Sequence, residues 1–528
     1  MRITQEQKYR RRWGTLAVLS LSLVIIGLDN TILNVALPTL QRDLSATASE
    51  LQWMVDSYVL VFAGLLLTMG AVGDRFGRAK ALVAGLVVFG AASAAAAFTS
   101  SATQLIAARA VMGIGGALIM PATLSIITDV FPREERGRAI GIWAAVAGLG
   151  IGIGPVVGGA LLESFWWGSV FLVNVPVVLG ALVFGYLLVP ASRDPQSTPL
   201  DIKGAATSMV AVSALVYGII EGPTHGWMSG QVLTAFALTI GFGGLFVAVE
   251  RRHAHPMLNL AYFRNRRFSG GATAISIAFF SLFGVIFLLT QYLQFVQGYS
   301  ALEAGLRTAP IAVGMVAGAA SAPRLVERFG TTRVVTFGLV VLAVVLGVFT
   351  TFAIDTEYWV IGAAVIALSY GMGNVMAPST DAVMGAVPVA KAGVASATND
   401  VTRQVAGAIG VAVVGSAFNS AYTANMESAV VQLPPEVAAA ASNSIGAATR
   451  IAADLPTEAA ANLLGAAQQA FVDAMSVAIF FPIALALIGA ALIARFMPAE
   501  HGAEVAAEEL RDERTLSSGR SAPAAGKA

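Results

Sequence analysis

Gly70-Ala71-Val72-Gly73-Asp74-Arg75-Phe76-Gly77-Arg78-Ala79-Lys80 is a short basic loop pinned between two apolar runs, each long enough to cross a bilayer. Its glycines let the chain reverse tightly, and its cations mark a loop that faces the cytoplasm. The same Arg-Phe-Gly core recurs far downstream in Leu325-Val326-Glu327-Arg328-Phe329-Gly330-Thr331-Thr332-Arg333. One such loop could be an ordinary solvated basic turn. Two copies imply two related halves.

The surrounding chain fits a membrane solvent. Of its 528 residues, 56% are hydrophobic and only 12% charged, and mean hydropathy is +0.75. Soluble domains carry about 25% charged residues. The net charge of +1 gives no pull on nucleic acid. Cysteine is absent, which excludes disulfides, thiolate metal sites and cysteine nucleophiles. The four histidines, with His253 and His255 in a loop, offer no metal cluster. There is no Gly-x-x-x-x-Gly-Lys-Ser/Thr loop, so ATP-driven transport is not expected. No catalytic triad spacing stands out, and neither an enzyme nor a cofactor is expected. The basic start, through Arg10-Arg11-Arg12, precedes an apolar run too long for a signal peptide, which reads as a retained first helix.

A spanning helix needs roughly 20 mostly apolar residues, and that ruler finds about fourteen, an all-α polytopic architecture. They begin near Thr15, Leu51, Lys80, Gln104, Gly137, Trp167, Gly204, Gln231, Gly270, Arg307, Val334, Tyr358, Gly393 and Phe471. With the amino terminus inside, inward loops hold Arg75, Arg78, Lys80, Arg133, Arg136, Arg138, Arg193, Lys203, Arg251, Arg252, Arg264, Arg266, Arg267, Arg324, Arg328, Arg333 and Lys391. Outward loops hold only Arg42, Arg307 and Arg450, beside acids such as Glu163, Glu221, Asp355 and Glu357. The bias puts both termini in the cytoplasm. The expected organisation is a basic tail over 1–12, a six-helix bundle over 13–195, two linking helices over 196–265, a second six-helix bundle over 266–497 and a disordered tail over 498–528. An Ala-rich polar stretch at about 419–470 is expected to lie over the outer face as amphipathic helices.

Several stretches carry a family resemblance. Leu28-Asp29-Asn30-Thr31-Ile32-Leu33-Asn34-Val35-Ala36-Leu37-Pro38 resembles the first-helix motif of drug exporters, and Gly70 to Lys80 the loop motif of the major facilitator superfamily. Leu105 to Gly115, with Arg109, resembles the fourth-helix motif; Gly148 to Gly159 the fifth-helix antiporter motif; Phe171-Leu172-Val173-Asn174-Val175-Pro176 the sixth-helix signature. Nearly the whole chain resembles this superfamily's fourteen-helix drug:proton antiporter branch, which includes quaternary-ammonium exporters. The resemblance implies a cell-membrane efflux antiporter for lipophilic cations, driven by the proton gradient, with bilayer, small-molecule cargo and protons as its partners; the few acids inside the spans favour monovalent cations among them. A monomer suffices for that fold; the sequence sets no oligomeric state.

The residues give each motif a physical reading. Asp29 lies well inside the first span, where a carboxylate costs about 2.5–3.5 kcal/mol. It must be neutral, paired or facing water, which makes it a candidate switch between proton and cation; the bland alternative is a permanently paired structural acid. Asp56 and Arg109 each lie about five residues into spans that start outside, and Asp29 about nine before the outer end of its own, so at 1.5 Å per residue the three share a similar depth. They are expected to be able to meet, with Arg109 biasing which acid holds the proton. Asp400 is the clear acid of the second half and a further candidate for proton coupling; the bland alternative is a pair with Arg403 at i+3 on one helix face. Asn34, Trp53, Tyr58, Gln291, Tyr292 and Gln294 are candidate cavity residues, the aromatics offering a cation a π face worth about 0.5–2 kcal/mol; Trp53 could instead be an interfacial anchor.

Gly73, Asp74, Arg75, Gly77, Arg78 and Asp129 are read as an inner conformational latch. Gly150, Gly154, Pro155, Gly158 and Gly159 are read as a tight, bendable seam between the halves, since small residues let helices approach and proline permits a kink; the resemblance associates this seam with export. The tenth span has Met315 and glycines but no acid, which disfavours dications. The rival readings are an exporter of one endogenous lipid, antibiotic or siderophore, an uptake porter, and a non-transporting membrane sensor.

Overall fold

The computed structural model describes residues 5–190, 201–253, 256, 260–387, 392–431 and 433–498. Arg193, His255, Lys391 and the expected tail from 499 onward lie outside the described residues. The described residues are helical and contain no strand.

The first set of helices is α1 (Gln5–Asp43), α2 (Ala48–Phe76), α3 (Arg78–Ala97), α4 (Ala102–Val130), α5 (Arg133–Ser164), the single turn α6 (Ser169–Leu172) and α7 (Asn174–Leu188). A hairpin of α8 (Ile202–His225) and α9 (Gly230–Arg252) follows. The second set is α10 (Arg266–Gln291), α11 (Ala301–Thr308), α12 (Pro310–Phe329), α13 (Thr331–Phe349), α14 (Tyr358–Gly385), α15 (Ala392–Met426), the short α16 (Pro435–Asn443) and α17 (Ile445–Ala453), and α18 (Thr457–Phe496). Among the described residues, 12 helices are long and apolar enough to cross a membrane. Beside them run α2 and α5, of 29 and 32 residues.

The duplication read from the two basic loops extends to their geometry. Thr47 and Glu50 form a capping box that starts α2, and Ser300 and Glu303 form one that starts α11. Thirty residues beyond each cap stands a glycine that ends one helix and opens the next: Gly77 at φ 118° and Gly330 at φ 81°. L-residues with a side chain rarely adopt that backbone region. Both glycines close the preceding helix by the same bond, Gly77 N–H to the Gly73 carbonyl at 2.9 Å and Gly330 N–H to the Val326 carbonyl at 2.8 Å. Packing repeats as well. In the first set α1 lies on α5 and α7, and α4 on α2 and α3; in the second α10 lies on α15 and α18, and α14 on α12 and α13.

The halves meet along two crossed seams, α5 against α11 and α2 against α15. The end of the bundle where α1 begins is called here the near face, and the opposite end the far face. Several specific contacts between halves gather toward the far face. Gln294 Nε2 donates to the Val35 carbonyl at 2.9 Å, and Gln52 Nε2 to the carbonyls of Val411 and Ala412, both at 3.3 Å. Arg450 of α17 donates to Ser45 Oγ at 2.7 Å, and Gly446 abuts Gln41 at the end of α1. The Ala-rich stretch is therefore partly spanning-helix continuation, since α15 runs to Met426 and α18 starts at Thr457. Of its two short helices, α16 buries Ala441 and α17 buries Ile445, Ala448 and Ala452 against the bundle. The hairpin α8–α9 packs on α2 and α15 through α8, with Ser416 Oγ donating to the Ile219 carbonyl at 2.8 Å. Large apolar side chains such as Tyr186 and Ile240 are exposed at 88% and 77%, which suits a surface facing lipid.

Candidate functional site

The first half encloses a polar cluster built by five helices, α1, α2, α3, α4 and α7. Asp29 on α1 and Arg109 on α4 are both buried, at 0% and 1% exposure. Arg109 Nη1 donates to Asp29 Oδ2 at 2.5 Å, and its Nε donates to the Met54 carbonyl of α2 at 3.1 Å. The guanidinium lies 4.4 Å from the centre of the Tyr58 ring, a cation–π contact. The other carboxylate oxygen, Asp29 Oδ1, accepts from Asn174 Nδ2 at 3.4 Å. Asn174 also donates to Ser93 Oγ at 3.1 Å, and Ser93 Oγ donates in turn to the Phe171 carbonyl at 2.8 Å. The α4 motif makes room for this: a side chain at Gly113 would meet the Tyr58 carbonyl at 2.7 Å, and one at Gly116 the Tyr58 hydroxyl at 3.2 Å. A buried pair held this way costs about 3–5 kcal/mol to break by removing one partner.

Asp56 departs from expectation. It is buried at 0% exposure, and neither carboxyl oxygen has a hydrogen-bond partner. It forms no pair with Arg109, whose hydrogen bonds go to Asp29 and Met54. The reason is rotation about the helix axis. Asp56 and Tyr58 are two residues apart, roughly 200° around α2, and Tyr58 is the one that faces Arg109. Asp56 instead lies one turn beyond Gln52 on the face that meets α15. The Tyr58 hydroxyl is also buried without a partner.

The remaining candidates divide by location. Asp400 pairs with Arg403 on its own helix, Oδ1 to Nη2 at 2.6 Å, with side chains 17% and 24% exposed. Asn34 Nδ2 donates to the Asn30 carbonyl and Gln291 Nε2 to the Phe287 carbonyl, both within their own helices. Tyr292 is buried, and its hydroxyl donates to the Ala353 carbonyl at 2.7 Å. Gln291, Tyr292 and Tyr58, three of the candidate cavity residues, are buried side chains. Gln294 bridges the halves at Val35. Trp53 Nε1 donates to Glu221 Oε1 on α8 at 3.1 Å.

Of the fifth-helix residues, Gly150, Gly154 and Gly158 face α1 of the same half, at Val24, Leu28 and Ile32. Pro155 and Gly159 face α11 of the other half, where a side chain on Gly305 would collide with the Pro155 carbonyl. In the basic loop, Gly73 accepts the closing bond from Gly77. Arg75 is exposed, Arg78 Nη1 donates to the Ser125 carbonyl of α4 at 3.1 Å, and Asp129 lies exposed one turn beyond. The Asp74 side chain lies outside the described residues.

Three groups were missed as site residues. Asn174 and Ser93 complete the Asp29 cluster; Asn174 stood in a quoted motif, but only tertiary contact reveals what it touches. Glu221 accepts from Ser49 Oγ at 2.8 Å and pairs with His225 Nδ1 at 3.3 Å, tying the inserted hairpin to α2. Gln52, a polar side chain inside a span, was the available signal for the α2–α15 seam. Among the described residues no group of three His, Cys, Asp or Glu could hold a metal ion.

Comparison with known proteins supplies the family. Residues 19–411 match the family model for the Major Facilitator Superfamily. The chain is 39% identical over 485 residues to the multidrug efflux pump LfrA of Mycolicibacterium smegmatis, covering 92% of this chain and 96% of that protein. It is 35% identical to the methyl viologen resistance protein SmvA of Salmonella typhimurium, covering 89% and 95%. It is 32% identical to the tetracenomycin C resistance and export protein of Streptomyces glaucescens, covering 91% of each. Among solved structures, an inward-facing bacterial homologue of the human lysosomal transporter Spinster aligns with a TM-score of 0.64 at 19% identity, covering 92% of this chain and 98% of that one; this likeness concerns the fold. The chain is a multi-pass membrane transporter rather than an enzyme, and it belongs to the Major Facilitator Superfamily.

Proposed function

We propose that this protein is a proton-coupled efflux antiporter that exports lipophilic, preferentially monovalent, cations across the cytoplasmic membrane by alternating access. The observation that carries this reading is the Asp29–Arg109–Asn174 cluster inside a span. A proton on Asp29 would release Arg109, and a cationic cargo competing for the same carboxylate would displace that proton. Asp56, buried without a partner at the seam, is proposed as a second proton carrier that senses the approach of α15. The names of the relatives, a multidrug efflux pump and several resistance proteins, support export. Counting α2 and α5 as spans makes fourteen, with α8–α9 inserted between two six-helix bundles and both termini cytoplasmic by the bias of loop Lys and Arg. In this frame the near face is cytoplasmic, and the far-face contacts described above form the closed outer gate.

Energetics limit the exchange. One pH unit supplies about 1.4 kcal/mol per proton, and 100 mV about 2.3 kcal/mol per net charge moved. A one-for-one swap of a proton for a monovalent cation moves no net charge and draws on pH alone. The monovalent preference rests on charge: Arg109 offsets Asp29, Arg403 offsets Asp400, and α12 contributes no acid before Glu327. Methyl viologen, which gives one relative its name, is a dication and makes this preference the first part to test. The experiment is transport in vesicles with an imposed pH gradient and a panel of monovalent and divalent dyes. Accumulation that ignores the gradient would overturn the coupling; better transport of dications would overturn the charge count.

A second reading, export of one natural compound by the same mechanism, draws support from relatives named for tetracenomycin C and methylenomycin A resistance. Saturable transport of a single compound with no competition among the dyes would favour it.

A further inference from the structure

We propose that the cleft between the inserted hairpin and the second half is a binding site for the acyl chain of an anionic phospholipid from the near-face leaflet. The cleft is a cavity of about 550 Å³ where α2, α8, α9, α10, α15 and α18 part company. That volume lies within the roughly 300–1,000 Å³ of small-ligand pockets. Its walls include Ala63, Val212, Phe246, Phe280 and Ile409, and among the described residues no charged side chain lines it. The hydroxyls in the wall are internally satisfied where they are bonded: Ser208 Oγ donates to the Ala205 carbonyl and Ser276 Oγ to the Ala272 carbonyl. Its lip is formed by Ile488 and Leu492, which are 57% and 44% exposed on α18, so the cavity opens on the apolar surface of the bundle. It is distinct from the Asp29 cluster, which lies within the first half.

Charge selects the occupant. Most lining residues fall in the near-face half of their helices, and four of the six helices end just beyond them in cations. Lys203 stands at the start of α8, Arg251 and Arg252 at the end of α9, Arg266 and Arg267 at the start of α10, and Arg495 at the end of α18. Along the helix axes these lie roughly 5–10 Å from the nearest lining residue. The acids at the same level are turned inward: Asp201 caps Gly204 N–H, and Glu250 is buried beside Gly204. Asp400, next to the cleft, is paired with Arg403. A dry apolar slot below several cations fits a fatty chain with a phosphate head, and the same cations repel a positively charged cargo.

The test uses the natural absence of cysteine. The Ser276→Cys variant of the full chain, labelled with bimane inside the cleft, is placed in nanodiscs that hold brominated phosphatidylglycerol or brominated phosphatidylcholine at equal mole fraction. Quenching is expected to be about threefold or more stronger from the anionic lipid, and to fall to parity when Arg266→Gln, Arg267→Gln and Arg495→Gln are combined. Ile240→Cys, on the exposed face of α9, should show no preference. Native mass spectrometry of the unlabelled protein gives an independent readout: phosphatidylglycerol should be retained after delipidation and lost in Ala406→Phe. Parity at Ser276→Cys together with loss of all lipid on delipidation would overturn the proposal. Quenching of the same label by an ethidium-like dye, without lipid preference, would also overturn it and make the cleft a path for cargo.

Discussion

The two halves share a scaffold and differ in what it holds. Each opens its second spanning segment with a capping box and closes it, thirty residues later, on a glycine of positive φ. Eighteen residues before the first cap, Thr47, stands Asp29; eighteen before the second, Ser300, stands Leu282. Arg109 reaches Asp29 from α4, whereas α14, its counterpart, contains no basic residue. The acid of the second half, Asp400, pairs with a neighbour on its own helix and stays partly exposed. Duplication thus preserved the turns that any copy of the fold needs, while among the described residues the buried interhelical charge pair is found in the first half. Chemistry and scaffold are separable here, and variants can be paired across the halves to test that.

The largest effect is expected from Asp29→Asn. It leaves Arg109 uncompensated and removes the proton-binding group, and proton-linked dye export should fall by about 100-fold or more, since breaking a buried pair costs about 3–5 kcal/mol. Membrane insertion, followed by expression level, should persist. Normal efflux at normal expression would place the chemistry elsewhere.

Next come Gly77→Val and Gly330→Val. Both force a β-branched side chain into a backbone region costing about 1–3 kcal/mol, so thermal stability in detergent should drop by similar amounts. Only Gly77→Val should also slow turnover more than it weakens equilibrium dye binding, because its loop holds Arg78 against α4. Equal loss of turnover in both variants would erase the functional asymmetry; a large loss of affinity at unchanged rate would move the first loop into the binding site.

Asp400→Asn should be milder. Partly exposed pairs contribute about 0–1 kcal/mol, so efflux should fall by less than about fivefold at pH 7. A loss as deep as that of Asp29→Asn would give the second half an equal share in coupling.

The smallest expected effect is a gain. Met315→Glu should modestly improve export of divalent dyes relative to monovalent ones. Gly314 cannot serve, since a side chain there would collide with the Ile366 carbonyl of α14. An unchanged selectivity ratio would mean that Met315 does not face the cargo.

Much of this could be read from residues because it is local or one-dimensional. Apolar runs locate helices, and two Arg-Phe-Gly loops reveal duplication. Depth along the axis predicted that Asp29 and Arg109 could meet. Depth says nothing about rotation, and so Asp56, at the same level, turned out to face α15. The glycines of the fifth helix were legible as a stripe for close packing, yet only contact shows that Gly150, Gly154 and Gly158 serve α1 while Gly159 serves the seam. Asn174 and Glu221 act through partners more than a hundred residues away, and no pattern along the chain encodes that distance.

The central claim, that cargo and proton compete for Asp29, is tested most directly by measuring proton release on binding. Purified protein in weakly buffered detergent solution is mixed with a saturating monovalent lipophilic dye while a pH indicator is followed. The account predicts a proton released per cargo bound in the unmodified protein, and a release abolished in Asp29→Asn even where dye still binds. Binding without proton release, or release unchanged in Asp29→Asn, would contradict it.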